Sequence, residues 1–353
     1  MPVSAASEIC ILYCDYRSMT PQASPSPERI FETLNAYQKT EALRTAIELD
    51  IFTAVGDGAT AEEVRAKCGA SQRGVRILCD YLTINGFLTK QENLYRLAPD
   101  AAIFLRRGSP AYMGDAARFL NSPRMMDVFR DLTAIVNTGH TTLDGEGTVS
   151  PDNPIWVEFA RNMAPMFRPS SQDIAAALFD GTPREAKVLD IAAGHGLFGI
   201  AIAKLNPLAR IVAVDWKAVL DVATENARQA GVAERHEALA GSAFDVDFGT
   251  GYDLVLLTNF LHHFDVPTIE RLLRKIRTAL KPGGRVATLE FVPNDDRVTP
   301  PAAAAFAMIM LGSTRAGDAY TFTEYESMFR NAGFARSEVR AMPRMPESLI
   351  VSE

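Results

Sequence analysis

The chain has little of what several large protein classes require. No apolar run approaches the ~20 residues that a membrane-spanning helix needs. The longest block, Ala302 to Leu311, reads instead as a buried helix. Basic charge is in deficit, with 36 Lys and Arg against 43 Asp and Glu, a net charge of −7 and a pI near 5.4. Phosphate backbones need a basic face, so nucleic acid is not an expected partner. The cysteines Cys10, Cys14, Cys68 and Cys79 form no C-x-x-C pair and have no histidine at metal-ligand spacing. That pattern predicts reduced thiols in a cytoplasmic protein and no metal site. The apolar patch Ile9 to Tyr13 follows no basic stretch and precedes no small-residue cleavage site, which argues against a signal peptide.

What is present suits an ordinary globular protein. At 353 residues, with 47% apolar and 22% charged, the chain is long enough for two domains with their own cores. Residues 1–27 are rich in Ser and Pro and read as a flexible tail, in which Met19 offers a second start. From Glu28 to about Ile51 the apolar spacing is helical. Thr60 and Ser71 then stand as caps before two further helical stripes, Asn85-Gly86 marks a turn, and the segments at Phe87 and Tyr95 read as a hairpin. Three helices and a hairpin over residues 28–110 describe a winged helix. Its would-be recognition helix, Ser71 to Leu82, carries only Arg73 and Arg76, opposed by Asp80, so a dimerising or structural module is expected rather than a DNA reader. Helical patterning continues from Ala111 to Val136, a Gly/Thr/Asp/Pro-rich linker runs from Thr138 to Pro154, and Trp156 to Phe179 is helical again. Residues 111–180 are thus a helical region expected to help build a substrate pocket, ahead of an α/β domain at 181–353.

That last domain predicts strands at Lys187–Ile191, Arg210–Val214, Glu237–Leu239, Tyr252–Thr258, Arg285–Glu290, Ala335–Ala341 and Ser348–Val351, with helices between the first five. Alternation of this kind implies a parallel sheet, and the short Pro-containing turn before the last strand makes the final pair an antiparallel hairpin. Val188 to Gly199, V-L-D-I-A-A-G-H-G-L-F-G, is an apolar strand handed through a glycine turn to a helix. Asp215 ends the next strand, where an acidic side chain can accept both hydroxyls of a ribose. An adenosine-containing cofactor is the first inference. Gly194-x-Gly196-x-x-Gly199 alone would also suit a dinucleotide, but Asp190 stands where dinucleotide folds place an apolar residue.

Taken with Asn259-Phe-Leu-His-His-Phe and Leu280-Lys-Pro-Gly-Gly-Arg, the pattern resembles class I S-adenosylmethionine-dependent methyltransferases. With the winged-helix front end, the chain from about Glu28 onward resembles homodimeric small-molecule O-methyltransferases, such as those of plant phenylpropanoid and bacterial polyketide metabolism. The resemblance implies a Rossmann-like seven-stranded sheet and an N-terminal dimerisation domain. It implies that Asp190, Gly194 and Gly196 hold the methionine end of the cofactor, Asp215 the ribose, and Trp216 the adenosine. Ser242, Ala243 and Phe244 replace the family's adenine-binding G-D-x-F segment, with Ser242 in place of its Asp, and Asn259 joins the cofactor set. Gly199 then counts as an ordinary small helix residue.

The chemistry, methyl transfer to a hydroxyl, calls for a base, and histidine is its usual source. Of five histidines, His140 and His236 suit surface roles, and His195 faces cofactor or solvent. By resemblance His262 is the general base and Glu290 the carboxylate that orients it. A second family carboxylate would fall at Ala319, where it is absent; Asp318 or Tyr320 could stand in. Met163, Met166 and Phe167, with His263, Phe306, Met308 and Met310, are candidate walls for a small aromatic or polyketide-like substrate. Methylation at carbon or nitrogen, transfer driven by proximity alone, and a non-catalytic cofactor-binding regulator remain the competing readings.

Overall fold

The computed structural model describes residues 25–343 and 345–353; residues 1–24 of the Ser/Pro-rich tail, with Cys10, Cys14 and Met19, lie outside the described residues. The chain divides into two compact units at Met126/Asp127.

The N-terminal unit contains α1 (Glu28–Leu34), α2 (Ala36–Glu48), α3 (Ile51–Val55), β1 (Ala59–Thr60), α4 (Ala61–Cys68), α5 (Gln72–Ile84), β2 (Leu88–Gln91), β3 (Leu94–Leu97), α6 (Pro99–Phe104) and α7 (Gly114–Leu120). The single helix expected over 28–51 is broken twice. Asn35 Nδ2 donates to the Phe31 carbonyl at 2.8 Å and closes α1. Asp50 takes a left-handed φ of 54° and separates α2 from α3. Thr60 makes a reciprocal capping box with Glu63, and Ser71 accepts from Gly74 N, so α4 and α5 start where their caps predict. The small sheet has the order β1-β3-β2, and α5 buries Val75, Cys79 and Leu82 against Phe52, Leu88 and Tyr95. Asp80 accepts from Arg76, Lys90 and Tyr95 Oη, so its carboxylate offsets basic charge on this face. On α1 and the start of α2, Ile30, Phe31, Leu34 and Tyr37 form an exposed apolar row.

The second unit continues from α8 (Pro123–Asp127), which crosses the division, through α9 (Leu132–Thr138), α10 (Ile155–Asn162) and α11 (Ala164–Leu178). The helical patterning over Ala111–Val136 therefore resolves into three short helices. The main sheet follows: β4 (Ala186–Ile191), α12 (Leu197–Leu205), β5 (Ala209–Asp215), α13 (Lys217–Gln229), β6 (His236–Ala240), β7 (Tyr252–Thr258), α14 (Val266–Ala279), β8 (Leu280–Glu290), α15 (Pro301–Ser313), α16 (Phe322–Asn331), β9 (Ser337–Ala341) and β10 (Ser348–Ser352). Its order is β6-β5-β4-β7-β8-β10-β9, with β10 antiparallel to both neighbours. Strand β8 starts at Leu280, earlier than expected: Leu280 pairs with Tyr252 before a register shift. Gly284 permits that bulge, because a Cβ there would lie 2.8 Å from the Tyr252 carbonyl oxygen.

Two expectations fail. Helix α15 is not buried: it is apolar all round, yet only Ala303, Met310, Gly312 and Ser313 are enclosed and Met308 is exposed. His236 is half-buried rather than free on the surface: both ring nitrogens are buried without a partner, and burial pushes its pKa down. The sheet core is conventional and tight. Leu257, fully enclosed in β7, predicts that Leu257→Ala lowers unfolding free energy by about 2–5 kcal/mol in denaturant titration.

Candidate functional site

The candidate site residues lie at the carboxyl ends of the parallel strands, starting with the turn after β4. Ala192, Gly194 and Gly196 all take positive φ (53°, 56° and 73°), which bends the chain sharply into α12. A Cβ on Gly196 would sit 3.0 Å from Ala223 Cβ, so α13 closes on this turn because the side chain is missing. The result is a bare backbone surface at a helix N-terminus.

Asp190 is fully buried beneath the turn. Its Oδ2 accepts from Gly199 N at 3.1 Å, while Oδ1 has no hydrogen-bond partner. Burial, and after it the charge of Asp215, push its pKa up to about 7 against the pull of the Gly199 N–H. Gly199 is therefore not an ordinary small residue. A Cβ there would lie 2.8 Å from Asp190 Oδ2 and 2.7 Å from Ile211 Cγ2, so its absence admits the carboxylate. At the end of β5, Asp215 Oδ2 accepts from Gly194 N at 2.9 Å and Oδ1 from Trp216 N at 2.7 Å. Burial raises its pKa to about 6. Each oxygen holds one backbone N–H and keeps lone-pair capacity for a further donor.

His195, within the turn, faces neither solvent nor an open cleft. Its ring packs among Phe159, Phe167 and Phe198 at 5.3–6.4 Å between centroids, and its Nδ1 accepts from Leu197 N. Burial pushes its pKa down to about 3, so it is a neutral packing residue. Phe167 is thereby engaged against the glycine turn, with Met163 buried and Met166 half-buried on the same stretch. Asp215 O accepts from Gly241 N, which fixes the loop bearing Ser242 and Ala243. Phe244 packs edge-on against Phe264, with the Arg271 guanidinium 5.5 Å from its ring centre.

The second cluster follows β7. Asn259, in a left-handed conformation with φ 54°, ends the strand and starts a tight turn through Phe260, Leu261 and His262. Glu290, last of β8 and completely buried, gathers that turn: its Oε1 accepts from Phe260 N at 2.9 Å, Leu261 N at 2.7 Å and His262 N at 3.4 Å. Its Oε2 is hydrogen-bonded to His262 Nδ1. A carboxylate only accepts, so Nδ1 carries the proton and Nε2 keeps the free lone pair. The His262 ring lies against Phe306 at 4.7 Å, and Phe306 stacks on Phe291 at 3.8 Å. Met310 is buried on the same helix as Phe306.

His263 is buried between His262, 4.3 Å away between centroids, and Trp156 at 5.2 Å. Its Nδ1 has no partner, and burial followed by His262 hold its pKa well below the usual histidine value. Neither stand-in for the absent carboxylate reaches His262. Asp318 pairs with Arg297 at 3.2 Å, and Tyr320 Oη donates to the Phe264 carbonyl at 2.8 Å. The backbone of this loop does reach it: Asp318 N donates to His262 O at 3.0 Å, and a Cβ on Gly317 would lie 2.3 Å from the same oxygen. The sequence reading missed Trp156, Phe291 and Glu347 here. Trp156 and Glu347 arrive from distant elements and no local motif marks them, while Phe291 directly follows Glu290 and shows its role only once Phe306 stacks on it. Among the described residues, no group of acidic, Cys and His side chains could hold a metal.

A glycine turn beneath β4, an acid ending β5 and a sheet closed by an antiparallel hairpin define the methyltransferase class of nucleoside-cofactor folds. Residues 159–335 match the O-methyltransferase domain and residues 31–107 the O-methyltransferase dimerisation domain. The chain belongs to the S-adenosylmethionine-dependent O-methyltransferase family. It is 28% identical to 3-hydroxy-5-methyl-1-naphthoate 3-O-methyltransferase of Streptomyces sahachiroi, over 92% of this chain and 94% of that one. A crystal structure from Nostoc punctiforme, assigned as an O-methyltransferase, is 53% identical, with a TM-score of 0.91 over 93% of this chain and 99% of the other. Human N-acetylserotonin methyltransferase in complex with S-adenosylmethionine shares the fold, with a TM-score of 0.80 at 19% identity over 95% and 99% of the two chains.

Two outcomes test this geometry. Gly199→Ala forces Asp190 or Ile211 aside and lowers both stability and S-adenosylhomocysteine affinity, read by unfolding and calorimetry; unchanged values would show that the close approach is unimportant. Asp190 has its folded pKa raised above the unfolded value, so its stabilising contribution is complete below about pH 4 and is lost as pH rises through about 7. Asp190→Asn cannot ionise, so its stability relative to the parent improves across that window, by on the order of 4 kcal/mol at most.

Proposed function

We propose that the protein methylates a hydroxyl of a small aromatic or polyketide-like molecule, with His262 as general base and Glu290 as the carboxylate that orients it. The observation carrying this reading is the buried His262–Glu290 pair at the carboxyl edge of the sheet, with Nε2 left free to accept. S-adenosylmethionine, when bound, supplies an electrophilic methyl group on a sulfonium. The site residues fit such a group. Gly194 and Gly196 offer bare backbone, Asp215 retains acceptor capacity for ribose hydroxyls, and Asp190 holds the turn from below. Trp216, Ala243 and Phe244 supply the surface for the adenine, with Ser242 as its polar neighbour, and Asn259 lines the cofactor edge at the end of β7.

The acceptor hydroxyl gives its proton to His262 Nε2 as the oxygen attacks. Glu290 stabilises the imidazolium that forms and keeps the ring in one orientation. Positioning supplies the rest, since methyl transfer depends on close approach in line. Phe306 and Met310 of α15, with Met163, Met166 and Phe167 and the imidazole of His263, suit a flat apolar acceptor. That α15 stays apolar on its exposed side supports the same reading. The exposed row Ile30, Phe31, Leu34 and Tyr37 supports a homodimer formed through the N-terminal unit, and the thiol and charge pattern supports a cytoplasmic location.

His262→Ala is expected to lower turnover about 10²–10⁴-fold with S-adenosylhomocysteine affinity intact. The assay uses a panel of phenols, hydroxynaphthoates and hydroxyphenazines, with mass spectrometry and NMR locating the transferred methyl. Undiminished turnover would reject the base role, and a methyl on carbon or nitrogen would redirect the reaction class.

A further inference from the structure

Glu347 is a buried acid that the scheme above leaves idle. It is only 5% exposed and lies in the turn that leads into β10. Because β10 runs antiparallel, its first residue, Ser348, pairs with Glu290, the last residue of β8. The reversed strand thus carries Glu347 to the same edge of the sheet as Asn259, His262 and Glu290. Asn259 stands there in an uncommon state, with positive φ and its side-chain oxygen buried without a hydrogen-bond partner. It directly precedes the turn whose N–H groups grip Glu290.

We propose that Glu347 is a positioning residue: its carboxyl pairs with the Asn259 carboxamide and anchors the start of the turn that carries His262. The donor count favours a protonated carboxyl. An ionised Glu347 only accepts, so it can take the Asn259 amide N–H but leaves Oδ1 bare. A protonated one accepts that N–H and donates its own O–H to Oδ1, and both groups are satisfied. The electrostatics agree. Burial first, and the Glu290 charge after it, push the Glu347 pKa up to about 7, while its own backbone N–H and, more weakly, the Asn259 side chain pull it down. Glu290 on β8 is the charged group that acts on Glu347, and Glu290 in turn holds His262 and faces Tyr325 on α16. Burial, and then Glu290, hold the Tyr325 phenol well above its usual range. Below about pH 7 the acid–amide pair is closed; above it, one bond opens and a second negative charge arises beside Glu290. Glu347 thereby couples the orientation of the His262 turn to pH.

The inference rests on His262 and Glu290 being the reactive pair, but its test needs no methyl acceptor. Full-length protein labelled with ¹⁵N-histidine is titrated by NMR from pH 5.5 to 9 in the presence of S-adenosylhomocysteine, with the His262 signals assigned by their loss in His262→Asn. In the parent, the His262 ring shifts show an added inflection near pH 7. In Glu347→Gln the amide mimics the closed pair at every pH, so that inflection disappears while thermal unfolding below pH 6 matches the parent. Superimposable His262 titrations in the two proteins would overturn the proposal. Carboxyl ¹³C shifts of labelled glutamate in the parent give an independent check. Titration of the Glu347 carboxyl near pH 7 supports it, and titration in the ordinary range near pH 4–5 defeats it. Loss of turnover in His262 variants bears only on the base role, so the two readings fail separately.

Discussion

The edge of the sheet that carries the proposed base is organised by one buried carboxylate. Glu290 is enclosed on every side, and a carboxylate cut off from water is costly unless its lone pairs are occupied. Four donors occupy them: three successive backbone N–H groups and one imidazole nitrogen. Three consecutive N–H groups can converge on one oxygen only if the chain curls tightly after β7, which accounts for the left-handed Asn259. The same curl leaves the His262 carbonyl facing the 314–319 loop, where Asp318 N satisfies it and the missing side chain of Gly317 gives it room. Histidine orientation, turn shape and loop packing are all consequences of satisfying this single group.

The proposed cofactor turn follows the same rule with different parts. Asp190 and Asp215 are acids whose solvent has been replaced by backbone N–H groups, from Gly199 in one case and from Gly194 and Trp216 in the other. Both accept fewer hydrogen bonds than Glu290, and burial pushes both pKa values up against the pull of those N–H groups. The glycines are what allow the backbone to come so near. An enclosed site with unspent acceptor capacity suits a ligand that brings hydroxyl and ammonium donors of its own.

Much of this was readable in advance. The strand–glycine–helix hand-over, Asp215, the hairpin and the Thr60 and Ser71 caps are local patterns, and local patterns report on their own backbone. The His262 and Glu290 segments were found because each has a recognisable neighbourhood, Leu-His-His-Phe and a strand end. Misses came where burial depends on what folds over a residue. His195 was placed toward cofactor or solvent because it sits in the turn, but aromatic rings from α10 and α11 cover it. His236 looked exposed among charges, yet its ring nitrogens are buried. Gly199 looked incidental until Asp190 and Ile211 came within reach of the Cβ it lacks. The apolar composition of α15 suggested burial, though hydrophobicity all round a helix says nothing about which face is covered.

The sequence by itself determined the order of strands and helices, the acidic and glycine positions of the cofactor turn, and the histidine that follows β7. Periodicity and turn chemistry act over a few residues and leave their mark there. Only the tertiary structure decided which groups meet at the edge around Glu290. The antiparallel return of β10 brings Glu347 beside Glu290 from 57 positions further along the chain. Loop 314–319 arrives with neither Asp318 nor Tyr320 aimed at His262, and Trp156 closes over His263 from α10. Those encounters arise from strand direction and packing between distant segments, and no short stretch of residues encodes them.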